Sequence, residues 1–247
     1  MNFLQWVKYL LLVVFLPGSR LRKEWQMLIY LNRDRKDFGL LPLRMQFDLR
    51  DVAREHSKDM ARKDYFDHVN FKGDTPADRL SIARVTDATT GENLAKIGGY
   101  PEPVKEAEEG LMKSPGHRAN ILNKSFNCVG IGVVKSKDGV FYFTQNFAKR
   151  LLKFTKKIRK NVSLKRGLRL EGIAIDSSIT EIYFHVKAMG QITDKGVQKV
   201  VDGKFSFTVM FEETGKYEVS VFVSESKNKI TLSNAFEVSV RSWWFWF

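Results

Sequence analysis

The 247-residue chain has one cysteine, Cys128, so an intrachain disulfide is excluded and packing alone must hold the fold, even in an oxidising compartment. Beside Val129 and Ile131 the thiol reads as a small buried hydrophobe with no adjacent base to activate it. Long apolar runs are missing too. Tyr9 to Leu16 is short for a bilayer span of about 20 residues, but it suits the core of a signal peptide. Leu16, Pro17, Gly18 and Ser19 make a poor cleavage site, so residues 1–20 are expected to be either a signal peptide or an uncleaved membrane anchor. An apolar first helix on a cytosolic domain is the competing reading. No internal repeat suggests an array. Ser114 has no G-x-S-x-G elbow around it to make it a nucleophile. Gly130 and Gly132 alternate within a strand and precede no helix, which fits close backbone packing and not a phosphate loop.

Acidic residues are scarce: 28 Asp and Glu face 41 Lys and Arg, leaving a net charge of +13. The deficit is local, because residues 149–169 hold ten Lys and Arg and no acid. Such a block points to an anionic partner, whether membrane, cell-wall polymer or nucleic acid. Nucleic acid fits least, since interleaved aromatics and a recognition fold are lacking. Within the block Leu151, Phe154, Ile158 and Val162 recur at helical spacing, so 149–166 is expected to be a basic amphipathic linker. Its apolar stripe would lie on an anionic membrane or dock on a flanking domain.

What is present reads first as helical. Trp25, Leu28, Leu31 and Arg35 share one helix face, and Leu49, Val52, Ala53, His56 and Met60 share another, with His56 as a core histidine. Asp74 is expected to cap a helix that runs through Leu80, and Pro101 and Pro103 open one that reaches Met112. A short helix follows Pro115. Strands are expected over Val129 to Val134 and Val140 to Phe147, joined by Asp138 and Gly139. Beyond Leu168 the period becomes two, with Phe205, Phe207, Val209 and Phe211, then Tyr217, Val219, Val221 and Val223, then Phe236, Val238 and Val240. His185 is expected to be exposed on one such strand. The fold class is thus α+β, with a smaller all-β immunoglobulin-like sandwich over 167–241. Trp243 to Phe247 are five consecutive aromatics, and the 242–247 tail is expected either at a membrane interface or as a strand capping the sandwich.

The segments GENLA (Gly91 to Ala95) and SPGHRANIL (Ser114 to Leu122), with Tyr65, Phe66 and His68 before them and FTQNF (Phe143 to Phe147) after, resemble bacterial CAP domains. That is the fold of cysteine-rich secretory proteins, antigen 5 and pathogenesis-related 1 proteins. The resemblance implies a three-layer αβα sandwich over 21–148, with a cleft that commonly holds two histidines and two glutamates. His68 and Glu92 match two of these. The second glutamate position falls near Ser114, and the second histidine falls at Tyr142, with His117 placed to compensate. His68, Glu92 and His117 are donor types that zinc accepts, but a metal-free hydrogen-bonded network is the favoured reading of the same groups. Asn93 and Ser114 have plainer readings as a turn residue and a helix cap. The function expected is an exported, non-catalytic module whose cleft (His68, Glu92, His117, Ser114, Tyr142, Asn93) binds a hydrophobic or cell-surface ligand. The alternatives are a metal-dependent hydrolase with Glu92 as base, and an adhesin acting through the basic linker.

Overall fold

The computed structural model describes residues 20–226 and 229–242. The expected signal peptide or anchor, up to residue 19, and the aromatic tail from Trp243 onward lie outside the described residues. The chain forms two compact units, residues 20–85 with 90–148, and residues 86–89 with 149–242.

The first unit runs α1 (Arg20–Asp37), β1 (Arg44–Met45), α2 (Phe47–Lys63), α3 (Pro76–Ile82), β2 (Thr90–Ile97), α4 (Pro103–Lys113), α5 (Pro115–Ile121), β3 (Cys128–Lys135) and β4 (Phe141–Ala148). Its sheet has the order β1-β3-β4-β2, with β1 parallel to β3 and the other pairs antiparallel. Alternation along the strands decides which helix covers which face. Val129, Ile131, Val133, Phe143 and Phe147 join Met27, Leu28 and Leu31 of α1 and Val104, Ala107 and Leu111 of α4 in one buried cluster. The opposite face meets α2, whose Leu49, Val52, Ala53, His56 and Met60 are all buried, as their spacing predicts. There Gly130 and Gly132 leave no room for a side chain: an added Cβ would lie 2.1 Å from the Arg50 nitrogen and 2.4 Å from the Ala53 carbonyl carbon, respectively. These glycines let α2 rest on the strand backbone. Helices on both faces make the αβα sandwich. Cys128 is buried and directs its thiol to the Ala148 carbonyl at 3.3 Å.

One local expectation is corrected. Thr75, not Asp74, caps α3: its hydroxyl accepts from the Asp78 amide at 3.2 Å while the Asp78 carboxylate accepts from the Thr75 amide at 2.9 Å. Asp74 instead accepts from the Asn70 side chain at 2.8 Å. Ser114 is the N-cap residue of α5, as expected, but its side chain makes no cap bond.

The second unit is all-β. Strands β5 (Leu152–Phe154), β7 (Leu168–Ala174) and β10 (Lys204–Val209) form one sheet in the order β10-β7-β5. Strands β6 (Asn161–Ser163), β8 (Glu181–Ala188), β9 (Gln191–Lys199), β11 (Gly215–Ser226) and β12 (Lys229–Arg241) form the other, in the order β6-β12-β11-β8-β9. Leu168, Leu170, Phe205 and Val209 from the first sheet and Val219, Val221, Val223, Val238 and Val240 from the second share one core. The basic amphipathic linker expected over 149–166 is not a helix. It supplies β5 and β6, and its apolar residues Leu151, Leu152, Ile158 and Val162 are buried in this core. A helix there would stack like charges four residues apart, such as Lys149, Lys153 and Lys157, along one side. Thr155, Asn161, Val162 and Ser163 disfavour helix as well. His185 is half-buried against Phe222, with ring centroids 4.9 Å apart, and not exposed as expected.

Candidate functional site

Strand β2 lies at an edge of the sheet, so side chains from both helical layers can meet there. Alternation sends Glu92 to the α2 face and Asn93 to the face of α4 and α5. Each strand position then collects its own network.

On the α2 face Glu92 is the hub. Its side chain is 2% exposed, which would be costly for a lone carboxylate. Arg79 of α3 donates to Oε2 at 2.6 Å and His68 Nδ1 bonds to Oε1 at 2.8 Å. Asn146, opposite Glu92 on β4, adds a bond to Oε2 at 3.1 Å when its amide is turned to satisfy both neighbours. Arg79 also donates to the carbonyls of His68 at 2.7 Å and Asp74 at 2.9 Å, which ties the 68–74 loop to the carboxylate. The bond to Glu92 raises the His68 pKa above its ordinary value, so the ring gains imidazolium character, while its side chain remains 48% exposed. His56 supports the loop from below. It is buried, its Nε2 bonds to the Asp67 carbonyl at 3.0 Å, and burial lowers its pKa, so it is a neutral core histidine.

On the other face Asn93 is fully buried. Its amide donates to the His117 carbonyl at 3.0 Å and to Gln145 Oε1 at 3.1 Å, and its oxygen accepts from Asn120 at 2.9 Å. Gln145 in turn donates to Glu108 at 2.7 Å. Asn93 is therefore a strand residue that joins α5 to β4, and the turn role expected for it is corrected. His117 is half-buried. Burial first, and the charge of His68 second, lower its pKa, opposite in direction to the shift of His68.

The six residues expected in the cleft are thus distributed. His68 and Glu92 are bonded and His117 is close enough to feel His68, whereas Asn93 points to the other face. Ser114 opens α5 three residues before His117. Tyr142 shares the Glu92 face but lies four residues along β4 from Asn146, about 13 Å away at 3.3 Å per residue. Its hydroxyl donates to Asp64 at 2.9 Å and the ring is buried, so its place in the cleft is corrected. Among the described residues no cluster of three or more His, Cys, Asp and Glu side chains has the geometry to hold a metal ion. The zinc set that His68, Glu92 and His117 offered as the alternative to a metal-free network does not fit, because both Glu92 oxygens are taken and one faces a guanidinium. Arg79 is the residue that sequence reasoning missed. Asn120, Gln145 and Asn146 stood inside the quoted motifs without a role.

Residues 28–147 match the model described as the cysteine-rich secretory protein family. An uncharacterised Bacillus subtilis protein, YkwD, is 38% identical over 120 residues, covering 49% of this chain and 46% of that one. The B. subtilis uncharacterised membrane protein YlbC is 37% identical over 127 residues, covering 51% and 34%. The chain thus spans less than half the length of either curated relative. A Bacillus anthracis extracellular protein containing an SCP domain is 31% identical in its solved structure, over 55% of this chain and 44% of that one, with a TM-score of 0.47. A Staphylococcus aureus cysteine-rich secretory protein is 21% identical, over 55% and 41%, with a TM-score of 0.44. The matched segment carries the GENLA, SPGHRANIL and FTQNF residues that build both faces of the β2 edge. Residues 28–147 of this chain are a CAP domain of the cysteine-rich secretory protein family.

Proposed function

We propose that the CAP domain is an extracytoplasmic, non-catalytic binding module whose ligand is amphiphilic. One observation carries this reading: His68 is exposed, its Nδ1 is held by the buried Glu92, and Phe66, Val69 and Phe71 around it are exposed at 46%, 43% and 68%. Exposed apolar side chains within three residues of one oriented polar group are the chemistry of a contact surface. Nε2 of His68 would meet an acceptor such as a carboxylate, and the loop would take the apolar part. Glu92, saturated by Arg79 and His68, is a poor general base. Extracellular and membrane relatives support export, with residues 1–20 as the signal peptide or anchor; no described helix is long and apolar enough to cross a membrane. The β unit is read as an immunoglobulin-like spacer, because Tyr217 returns its hydroxyl to the Glu213 carbonyl at 3.0 Å, as in a tyrosine corner, and β6 runs parallel to β12.

Side-chain NMR of the full chain tests the cleft. His68 is expected to titrate above and His117 below the ordinary histidine value, and Glu92→Gln to bring His68 down. Decanoate, as a probe, is expected to shift the amides of 65–71 and to bind about tenfold more weakly to His68→Ala, the loss of one charge-assisted hydrogen bond. A loop indifferent to saturating decanoate overturns the reading.

A further inference from the structure

The basic segment that enters the β unit leaves a groove on it. With a volume of about 720 Å³, it is lined by Lys156, Lys157, Arg159, Arg166, Arg169 and Arg241, and among the described residues no carboxylate lines it. The frame is fixed from beneath. Val162 and Leu168 are buried, β6 pairs with the end of β12 through Val240 and Arg241, and the 164–167 turn closes on Ser163 by bonds from the Arg166 and Gly167 amides at 3.1 and 2.9 Å. Gly167, at φ +63°, lies so close to the Val209 carbonyl oxygen that an added Cβ would be 2.4 Å from it, so the turn is pressed flat against β10. Glu171, beside the groove, holds Lys156 at 2.5 Å and Arg169 at 3.1 Å. Ser163 Oγ, in the wall, is buried without a hydrogen-bond partner. A set of forked guanidiniums on a stiff concave frame suits phosphate oxygens.

We propose that this groove binds a linear phosphodiester polymer that carries no bases. A flat bilayer fits poorly, because the site is concave and its apolar lining residues, Val162 and Leu168, are buried and have nothing to insert. Nucleic acid fits poorly because, among the described residues, no aromatic side chain lines the groove to stack on a base. Anchored by Ile158 and Val162, the basic segment presents its charge as a site and not as a loose tail. The groove is independent of the His68 cleft and lies wholly within the β unit.

The test is fluorescence anisotropy of the full chain with labelled poly(glycerol phosphate), run beside a single-stranded oligonucleotide of equal charge and phosphatidylglycerol vesicles. The polymer is expected to bind most tightly, with affinity falling log-linearly with salt. Lys157→Ser with Arg159→Ser and Arg241→Ser should weaken it by about 30-fold or more and flatten the salt slope by about 2 to 3. All three side chains are exposed, and unchanged circular dichroism will confirm folding. A control that loses the same charge outside the groove, Lys195→Ser with Lys199→Ser and Lys204→Ser, should cost less than about threefold. Equal loss in the control, no binding, or an equal hold on the oligonucleotide or the vesicles would each overturn the proposal.

Discussion

Raising the pH across neutrality is expected to destabilise the CAP domain, and Glu108→Gln to remove most of that loss. Glu108 on α4 is 1% exposed, Gln145 donates to its Oε2, and its Oε1 has no partner. Burial, and then the negative charge of Asp34, push its pKa from 4.5 up to about 8, with the hydrogen bond from Gln145 and then Arg33 opposing. The carboxyl is therefore protonated in the native state at neutral pH. Below 4.5 both the folded and unfolded forms hold the proton, and the contribution to stability is fully present. Between 4.5 and about 8 only the unfolded form has released it, so stability falls with rising pH and the loss is complete once the folded group ionises. The whole span corresponds to about 5 kcal/mol, at roughly 1.4 kcal/mol per pH unit. Urea unfolding at pH 6 and pH 9 measures it. The parent should lose about 3 kcal/mol more than Glu108→Gln, which keeps an acceptor for Gln145 without a charge. An equal loss in both proteins would show that Glu108 is ionised when folded.

Replacement of Arg35 should have an effect of similar size. It is 2% exposed on α1 and donates to four backbone carbonyls, those of Leu41 at 2.9 Å, Ile121 at 2.7 Å, Asn123 at 3.0 Å and Phe126 at 3.3 Å. Burial lowers its pKa, but the carbonyls replace the water it has lost. It gathers the loop after α1, the end of α5 and the approach to β3 in one contact. Arg35→Ala leaves those acceptors unsatisfied and opens a cavity, and is expected to cost about 4 kcal/mol or more. Arg35→Lys keeps the charge on a shorter reach and should lose less. Hydrogen exchange resolves the effect: amides of α1 and β3 should lose protection while those of β11 keep theirs. Unchanged protection in α1 would mean that water serves the carbonyls equally well.

What was legible in the sequence was whatever repeats along the chain. The α2 face, the β3–β4 hairpin and the alternating strands after Leu168 all rest on periodicity, and every apolar position named for α2 is buried. Gly130 and Gly132 were legible because only close packing explains paired glycines on one strand face. What stayed hidden was pairing between distant residues. Nothing in a periodic pattern tells Arg79 that Glu92 will need a counter-ion, or Asn93 that Gln145, 52 residues on, will accept its hydrogen bond. The basic segment misled for a related reason. Leu151, Phe154, Ile158 and Val162 satisfy helical spacing by coincidence, while an extended segment holding two short strands packs the same residues against partners that only the tertiary fold supplies. Tyr142 was placed by alignment with a family histidine, and its hydroxyl was claimed by Asp64 instead.

The account turns on Glu92 being committed to Arg79 and His68 and not to a metal. Zinc titration by calorimetry on the full chain at neutral pH, beside His68→Ala and His117→Ala, tests this most directly. The account predicts no saturable heat at micromolar zinc in any of the three proteins. Saturable binding to the parent that both substitutions abolish would put the two histidines on one metal ion, displace Arg79 from Glu92, and contradict it.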